Sequence, residues 1–405
     1  MYPHQTIFDM AINWDSQRIP VRASERKKGP YPYYGAQGIV DYVDDYIFDG
    51  FYILVAEDGE NLRSQKENVA TLASGKFWVN NHAHVISSKP HCNTKYIFYA
   101  LSDIDFTSYI TGSTIPKLSQ ASLGNIELPC PSLEVQDAIA STLGSLDDKI
   151  DLNRRTNETL EAMARALFRD WFVDFGPTRA KMAGEAPYLA PELWELFPDR
   201  LDDEGKPEGW KTEPLDEIAT FLNGLALQKY PSTGDTSLPA IKIAQLRSEN
   251  TETADPVSPD IPDDYIIEQN DLLFSWSGSL LCKFWNGQRG ALNQHLFKVT
   301  SKRFEPWFIY EWIQFYMPEF QAIAAAKATT MGHIQRRHLT ESLVTIPPAN
   351  IMQPANKAIG SLIEQIQSNN GQSRTLAQLR DLLLPKLMSG EISIRDAEKM
   401  VEDAT

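Results

Sequence analysis

The chain has no hydrophobic run long enough to cross a membrane. No uninterrupted apolar stretch is longer than that from Phe51 to Ala56, whereas a transmembrane helix needs about 20 residues. The first twenty residues also lack a basic segment followed by an apolar one, so no signal peptide is expected. The three cysteines, Cys92, Cys130 and Cys282, form no CxxC pair. A disulfide framework and a structural zinc site are therefore not expected, and the sequence indicates a cytoplasmic protein.

Common cofactor and catalytic motifs are also missing. The chain has no GxxxxGK[ST] phosphate loop, no GxGxxG stretch after a strand and no NPPY-like stretch. Pro198-Asp199 followed by Glu204-Gly205-Lys206 imitates the PD…ExK order of magnesium-dependent nucleases. That chemistry needs carboxylates on adjacent strands around the metal, whereas this pattern lies in a polar, acidic stretch. The sequence therefore predicts no catalytic residue, no metal site and no cofactor in this chain.

Positive charge is scarce overall but is concentrated locally. The formal net charge of −16 argues against nucleic-acid binding, because phosphate contacts need lysine and arginine. The stretch from Leu272 to Phe304 nevertheless contains five basic residues and no acidic one. Each basic run alone is compatible with solvated surface, but local basic faces on an acidic body can bind DNA. The runs contain Arg18, Arg22, Arg26, Lys27 and Lys28 near the start, and Lys283, Arg289, Lys298, Lys302 and Arg303 in the later stretch.

The sequence contains an internal repeat of about half its length, and such repeats indicate a repeated structural unit. The clearest pair is LGSLDDKI at 143–150 and IGSLIEQI at 359–366, at an offset of 216 residues. Earlier in each half, Asn80-Asn81-His82 pairs with Asn293-Gln294-His295. The later segments match well and the earlier ones match poorly. Each half therefore combines a common scaffold with a part that has diverged.

Each half ends in a predicted long helix whose apolar residues recur at spacings of four and three, the pattern of a coiled coil. Asparagines interrupt both stripes, and a buried asparagine costs stability but fixes register and partner. Since each stripe is too narrow to form a core alone, the simplest partner for each helix is the other. The first stripe consists of Ile139, Leu143, Leu146, Ile150, Asn153, Asn157, Leu160, Ala164, Leu167 and Trp171. The second consists of Ile359, Leu362, Ile366, Asn369, Ser373, Leu376, Leu379, Leu383 and Leu387.

An alternative is that each long helix packs only on its own domain. The matched polar interruptions of the two stripes favour pairing instead. Two residues weaken the second helix: Gly371 lowers the helix propensity near its middle, and Pro385 is expected to kink or end its last turns.

The segments that precede the helices are predicted to be mixed α/β domains. Strand-like runs at Phe51–Ala56, Phe77–Val79, His84–Ile86 and Leu272–Ser275 lie between turns rich in Gly, Asn and Asp. The fold class is therefore predicted to be α+β, with two mixed domains, two long helices and an internal two-fold repeat. The predicted order is a first domain at 1–130, a helix at 131–176, an exposed acidic connector at 177–209, a second domain at 210–348, a C-terminal helix at 349–390 and a tail at 391–405.

Five motifs carry a family resemblance. They are LPCPSLEVQDAIA at 128–140, LFRDWFVDFGPTRAK at 167–181, LFPD at 196–199, PEGW at 207–210 and LLPKLMSGEI at 383–392. Together they resemble the DNA-specificity subunits (S subunits, the HsdS family) of Type I restriction-modification systems, over essentially the whole chain. The sequence departs from the family at its start, where no PxGW-like entry precedes Phe8-Asp9. This departure leaves the first strand of the first domain open.

The resemblance implies a non-catalytic subunit of a Type I restriction endonuclease and adenine methyltransferase complex, which serves host defence. Two target-recognition domains would each read one half of a bipartite, asymmetric target in double-stranded DNA. An antiparallel pair of coiled-coil helices would separate them, set the unread spacer and dock two modification (methyltransferase) subunits. Restriction (translocase) subunits would then join. S-adenosylmethionine, ATP and Mg²⁺ are expected in those partner subunits and not in this chain.

Two other functions stay open at the level of sequence. One is a self-contained nuclease or methyltransferase, against which the missing motifs argue. The other is a coiled-coil scaffold that reads no bases, which would lack the strong salt dependence of a DNA-binding protein.

Contacts with DNA are expected from polar and basic loops, because Asn and Gln can pair with adenine, and Arg and Lys with guanine, in the major groove. The matching loops 80–82 and 293–295 are equally compatible with turns in which Asn side chains cap backbone groups. The candidates are Lys27, Lys28, Gln37, Asn80, Asn81, His82 and Lys117 in the first domain, and Lys283, Arg289, Asn293, Gln294, His295, His333, Arg336 and Arg337 in the second. The predicted helix-pair interface consists of Leu143, Leu146, Ile150, Leu160 and Leu167 with Ile359, Leu362, Ile366, Leu376 and Leu383.

Overall fold

The computed structural model describes residues 2–232, 234, 236–326 and 332–403. The chain folds into two compact units. The first comprises Met1–Asp151 and Ser373–Thr405, and the second comprises Leu152–Gln372. The division crosses both long helices, so each unit contains one part of each.

Helices and strands are mixed in both units, as the sequence predicts. Two π-helical turns, Arg169–Val173 and Asn356–Gly360, adjoin the long helices. The α-helices are α1 Ile7–Met10, α2 Asn61–Ser64, α3 Thr94–Ser102, α4 Gln120–Gly124, α5 Leu133–Phe168, α6 Gly176–Ala183, α7 Pro191–Trp194, α8 Leu215–Ile218, α9 Ile243–Ser248, α10 Pro306–Ala326, α11 Arg336–Glu341, α12 Ala349–Ala355, α13 Ser361–Ser389 and α14 Ile394–Glu402. Short 3-10 turns are formed by Asp15–Gln17, Ala23–Glu25, Phe106–Ser108, Leu227–Lys229 and Asp263–Tyr265.

The first unit is built around a six-stranded β-sheet. The strands of this unit are β1 His4–Thr6, β2 Ala11–Asn13, β3 Tyr31–Gly35, β4 Gly38–Val43, β5 Phe48–Ala56, β6 Ala70–Val79, β7 Ala83–Ser88, β8 Ile110–Thr111, β9 Lys117–Leu118 and β10 Glu127–Pro129. The sheet order is β2-β7-β5-β6-β3-β4, and its neighbours are antiparallel except for the parallel pair β3 and β6. The three runs predicted as strands in this half lie within β5, β6 and β7.

The second unit contains two four-stranded sheets. Its strands are β11 Lys211–Pro214, β12 Thr220–Asn223, β13 Leu238–Ile241, β14 Pro256–Val257, β15 Ile266–Ile267, β16 Leu272–Ser275, β17 Cys282–Phe284, β18 Gly290–Leu292, β19 Leu296–Thr300 and β20 Leu343–Ile346. One sheet has the order β12-β19-β16-β17 and the other β14-β13-β18-β15. The run predicted as a strand at Leu272–Ser275 is β16.

Both units contain the same local arrangement of a strand pair and a short helix. In the first, β1 pairs antiparallel with β10 and leads into the short helix α1. In the second, β11 pairs antiparallel with β20 and leads into α8. The first strand of the first domain, which the sequence left open, is therefore formed by His4–Thr6.

The two long helices meet in the hydrophobic core of the first unit. The buried side of α3 belongs to the same core, and the side chain of Asn93 caps this helix by accepting a hydrogen bond from the backbone N–H of Tyr96 at 3.0 Å. Ile150 is partly buried against this core. The stripe residues that lie in it are Ile139, Leu143 and Leu146 from α5, and Leu376, Leu383 and Leu387 from α13.

Within the second unit the helices are joined by a polar layer of asparagines. Asn153 donates to the Gln372 side-chain oxygen at 2.9 Å. Asn157 donates to Asn370 at 2.7 Å and accepts from Asn369 at 2.8 Å. Because the earlier residue of α5 meets the later residue of α13, the paired segments run antiparallel. Asn153, Asn157 and Asn369 are all buried.

The apolar stripe shifts by one residue at two positions of the second unit, whereas Ala164 and Trp171 are buried as predicted. Ile359 and Ile366 are buried as expected, and Leu160 packs partly buried against the same core. Leu167 and Leu362 are only partly buried, whereas the neighbouring Phe168 and Ile363 are buried. A straight α-helix drifts about 20° per heptad away from a strict seven-residue pattern, and the two π-helical turns change the spacing further.

Helix α13 passes through the two residues that were expected to weaken it. It continues across Gly371 and past Pro385 to Ser389. A proline this close to a helix end removes one backbone hydrogen bond without ending the helix, and buried Leu383 and Leu387 hold the last turns on the core.

The predicted connector at 177–209 is not exposed throughout. Phe197 is buried in the core of the second unit, together with Phe175 just before the connector and Trp210 just after it. Trp194 is buried as well. The Trp171 ring packs edge-on against Phe197 with 5.6 Å between ring centroids. The acidic composition of the segment predicted full exposure. Two of its aromatic residues, Trp194 and Phe197, are buried and hold the segment against the rest of the second unit.

Candidate nucleic-acid interface

The loop at 80–82 in the first unit is built as a side-chain-capped turn. The Asn80 side-chain oxygen accepts a hydrogen bond from the backbone N–H of His82 at 2.8 Å, and Asn80 is buried. Asn81 and His82 are exposed. The His82 Nδ1 lies 2.7 Å from a carboxylate oxygen of Asp58. Asn80 therefore caps the backbone of the turn, which is one of the two roles that the sequence allowed. Asn81 and His82 remain accessible to solvent.

A group of paired charges lies next to this loop. Lys117 Nζ is 3.2 Å from Glu57, and Arg18 Nη1 is 2.7 Å from the other oxygen of Glu57. The buried His84 ring contacts Asp15 through Nδ1 at 2.6 Å and the carbonyl of Leu118 through Nε2 at 2.9 Å. The two ring nitrogens of His84 therefore each face an oxygen acceptor of the fold.

The carboxylates of this group stay ionised. Burial alone would raise the pKa of Asp15, but the hydrogen bond and positive charge of His84 outweigh it and hold the pKa below its usual value. At Glu57 burial is outweighed in the same way, chiefly by the hydrogen bond from Arg18, so its pKa is also lowered. Lys117 therefore faces an anion of its own unit, which reduces what it can offer to a phosphate.

The remaining candidates of the first unit are exposed. Lys27 and Lys28 lie in the segment before β3, and Gln37 lies in the turn between β3 and β4. This turn adjoins the 80–82 loop, because the backbone N–H of Asn80 donates to the carbonyl of Tyr34 at 3.1 Å. The structure thus brings Gln37 and the 80–82 loop to one region.

The loop at 293–295 in the second unit repeats the capped turn. The Asn293 side-chain oxygen accepts from the backbone N–H of His295 at 3.2 Å, and Asn293 is buried. The surroundings differ from those in the first unit. His295 Nδ1 lies 2.9 Å from the hydroxyl of Ser277, where His82 meets a carboxylate. The matching loops therefore share a backbone frame and differ in charge.

Several candidates of the second unit gather around the indole of Trp276. Its ring centroid lies 5.8 Å from that of His295 and 6.3 Å from that of His333. Its Nε1 donates to Asn223 at 2.9 Å. We call this surface the Trp276 face, formed by Asn223, Trp276, Gln294, His295, His333 and Arg336. Arg336 joins it by donating to the carbonyl of Phe221 at 3.0 Å.

The other basic candidates of the second unit are placed differently. Lys283 pairs with Glu249 at 2.5 Å, and Arg289 pairs with Glu268 at 2.9 Å. Arg337 is exposed, and within the described residues its side chain forms no ion pair. The acids that pair with Lys283 and Arg289 lie in the segment at 249–271, which contains eight acidic residues and no basic one. Counting charges within 272–304 alone therefore overestimated the free positive charge of this run.

A glycine is required where two backbone segments of this face meet. A Cβ atom at Gly224 would lie 2.2 Å from the carbonyl oxygen of Asn293, a distance that no side chain tolerates. The backbone N–H of Gln294 donates to the carbonyl of Leu225 at 2.9 Å at the same crossing. Gly224 thus lets β12 hold the 293–295 loop in place.

Sequence reasoning missed Trp276 and Asn223. The available signal was a tryptophan between two serines in a stretch that contains no acidic residue.

The nuclease-like pattern at 198–206 is a solvated turn, in which Lys206 pairs with Asp202 at 2.7 Å and also contacts Glu204. Across the described ranges no cluster of three potential metal ligands occurs. No helix in the described part of the chain is long and apolar enough to span a bilayer.

Comparison with known families gives one clear match. The model of the Type I restriction modification DNA specificity domain matches twice, at residues 6–162 and 207–378. The two matches correspond to the two halves of the internal repeat.

Individual proteins agree with this match. The MjaIX specificity subunit of Methanocaldococcus jannaschii, a Type I restriction enzyme subunit, is 26% identical over 80% of this chain and 75% of its own length. The HindI specificity subunit of Haemophilus influenzae is 24% identical over 76% of this chain and 81% of its own. A crystal structure of a Type I restriction-modification S subunit from M. genitalium covers 96% of both chains with a TM-score of 0.59 at 15% identity. That structure supports the fold.

Proposed function

We propose, since this chain belongs to the family of Type I restriction-modification DNA specificity proteins, that its two recognition domains each read one half of a bipartite target in double-stranded DNA. The chain is a specificity subunit, which recognises DNA and is not itself the catalytic subunit. The observation that carries the two-part target is the double family match, at 6–162 and 207–378, onto two halves that form separate sheets.

The partners in this proposal are two modification subunits, which dock on the long helices, and restriction (translocase) subunits, which join afterwards. S-adenosylmethionine, ATP and Mg²⁺ would be bound by those subunits. The helix pair is the natural docking element because it belongs to both units and repeats the part of the sequence that diverged least. Nothing in the comparisons supports a self-contained nuclease or methyltransferase, or a scaffold that reads no bases.

Exchanging residues 210–348 for the matching domain of a relative is expected to change one half of the target only. The reason is that the diverged segment carries the second candidate surface, whereas the first unit takes no residue from this range. The measurement is a genome-wide map of methylated adenines with the cognate modification subunits present. An exchange of the helices alone serves as control and should leave both half-sites unchanged. A change in both half-sites after the domain exchange would contradict independent reading.

Adding one heptad to each long helix is expected to lengthen the unread spacer. Seven residues inserted between Asp151 and Leu152, and seven between Gln372 and Ser373, keep both stripes in phase. Each insertion lengthens its helix by roughly 10 Å, which corresponds to about three base pairs at 3.4 Å per pair. The same methylation map reports the spacer. Four residues inserted in the second helix near Asn369-Asn370 should lengthen that helix by about 6 Å and the spacer by about one or two base pairs. An active double insertion with the original spacer would rule out the helices as the measuring element.

A further inference from the structure

The Trp276 face combines side chains from four separate segments of the second unit. Asn223 is the last residue of β12, and Trp276 follows β16. Gln294 and His295 come from the capped turn, and Arg336 opens α11. These segments are tied together by backbone hydrogen bonds, from Ile334 to the carbonyl of Trp276 at 3.0 Å and from Gly278 to that of Gly332 at 2.8 Å. Chemistry-bearing side chains from distant loops are thus held on one frame.

The indole and the imidazole of this face are oriented before any ligand arrives. The Trp276 Nε1 is fixed by Asn223, and its ring also packs on Phe297 at 6.1 Å between centroids. The His295 Nδ1 is engaged by the Ser277 hydroxyl, and Ser277 is buried. The ring edge that carries Nε2 is thereby turned toward Gln294, whose Nε2 lies 3.4 Å away. Side chains fixed in this way lose little entropy when they bind.

The charge of this face suits DNA. Arg336 is held over the Phe297 ring, 5.7 Å from its centroid, and neither Arg336 nor His295 takes part in an ion pair among the described residues. Arg337 next to it is exposed. In the first unit the matching His82 is paired with Asp58 and Lys117 with Glu57. The Trp276 face of the second unit therefore carries neutral and positive side chains. The corresponding surface around the 80–82 loop of the first unit carries paired charges.

Gln294 supplies the chemistry of base recognition. Its side chain is half-exposed at the tip of the turn, and its only described contact, with His295, is long. A glutamine side chain offers a donor and an acceptor together, which matches the N6 and N7 atoms of adenine in the major groove. The neighbouring Arg336 and Arg337 provide cations of the kind that contact phosphates.

We infer that the Trp276 face is the base-reading site of the second recognition domain, in which Gln294 reads an adenine and Trp276 positions Gln294 and His295. This assignment rests on the proposed function, because it presupposes that the second domain reads one half-site. The inference adds which residues of the second domain contact the DNA bases and which base Gln294 recognises.

The test is an adenine-methylation map, with binding of target duplexes by the complete methyltransferase complex, for Gln294→Ala, Gln294→Glu and Trp276→Ala. Gln294→Ala should broaden one adenine position of the second half-site, with a roughly ten- to hundredfold loss of discrimination. Gln294→Glu should shift that position toward cytosine, whose N4 donates to a carboxylate. Trp276→Ala should broaden the same position, and Trp276→Phe, which keeps an aromatic ring, should largely restore the adenine preference.

The matched control is Gln288→Ala, since Gln288 is an exposed glutamine of the same domain that contacts Thr251. It should leave the map unchanged. An unaltered first half-site in every variant shows that the complex is folded and active. If the wild type has a bipartite target and the Gln294 variants keep it unchanged, or broaden a position other than adenine, this inference is overturned while the proposed function stands. A wild type without a bipartite target would overturn both.

Discussion

Replacing Asn157 with alanine is expected to lower the free energy of unfolding by about 2–4 kcal/mol. Asn157 is buried, donates to Asn370 and accepts from Asn369, which is itself buried. Its removal leaves the donor of Asn369 and the acceptor of Asn370 without their partner inside the helix pair. The unpaired donor of buried Asn369 costs its full desolvation penalty, about 1–3 kcal/mol, and the acceptor of half-buried Asn370 costs less.

Urea unfolding followed by circular dichroism measures this loss. Asn350→Ala is a suitable control, because Asn350 is exposed on helix α12 and should lose no stability. Asn157→Leu should cost less than Asn157→Ala, since a leucine fills the layer, but it removes the hydrogen bonds that fix the helix register. Equal stability of Asn157→Ala and wild type would show that the polar layer contributes nothing.

Replacing Glu311 with glutamine is expected to stabilise the protein at pH 8. Burial raises the pKa of Glu311 to about 7, although the charge of Arg165 acts in the opposite direction. Its side chain faces a cavity of about 370 Å³ between α5 and α10, lined also by Phe168, Gln314 and Phe315. A carboxyl in such surroundings holds its proton more tightly in the folded chain than in the unfolded chain.

The sign of the pH dependence follows from this difference. Between the usual value of 4.5 and about 7 the folded chain binds more protons at Glu311 than the unfolded chain does. The contribution of Glu311 to the free energy of unfolding is therefore fully present at low pH. It falls as the pH rises through that window and levels off above it. One pKa unit corresponds to 1.36 kcal/mol, so Glu311→Gln should gain on the order of 3 kcal/mol at pH 8.

Thermal or urea unfolding at pH 5, 6, 7 and 8 tests this expectation. The variant and the wild type should be close at pH 5 and diverge as the pH rises. Glu319→Gln, an exposed change on the same helix, should run parallel to the wild type throughout. Parallel curves for Glu311→Gln as well would mean that the Glu311 carboxyl is ionised at little cost.

Local periodicity predicted the helices and several strands well. The alternation of four and three marked α5 and α13, because a helix that packs on one side must place apolar residues at that spacing. The asparagines within the stripes predicted a polar layer, and the layer is formed by Asn153, Asn157 and Asn369. The strand order of the first sheet was not predictable, since the parallel pairing of β3 and β6 depends on contacts between distant segments.

The candidate interface was predicted only in part for a similar reason. The repeat in the sequence indicated the loops 80–82 and 293–295 as candidate DNA contacts. It did not show that the side chains of Asn80 and Asn293 cap the backbone of their own turns. Charge counting favoured Lys283 and Arg289, and it could not foresee that Glu249 and Glu268 pair with them in the fold. The position of Trp276 between two serines was only a weak signal, because the contacts of its ring with His295 and His333 depend on the fold.

The division of the chain into units also sets the order in which the protein can be completed during synthesis. The second unit is one continuous segment, Leu152–Gln372, and all of it has been made before the last part of the chain appears. The first unit starts earlier but needs Leu376, Leu383 and Leu387 to finish the core around Leu143. The core formed by residues 1–151 therefore stays incomplete, with part of its apolar surface exposed to solvent, until helix α13 has been synthesised. This delay exposes the first domain to aggregation and to chaperones in a way that its early position in the chain does not suggest.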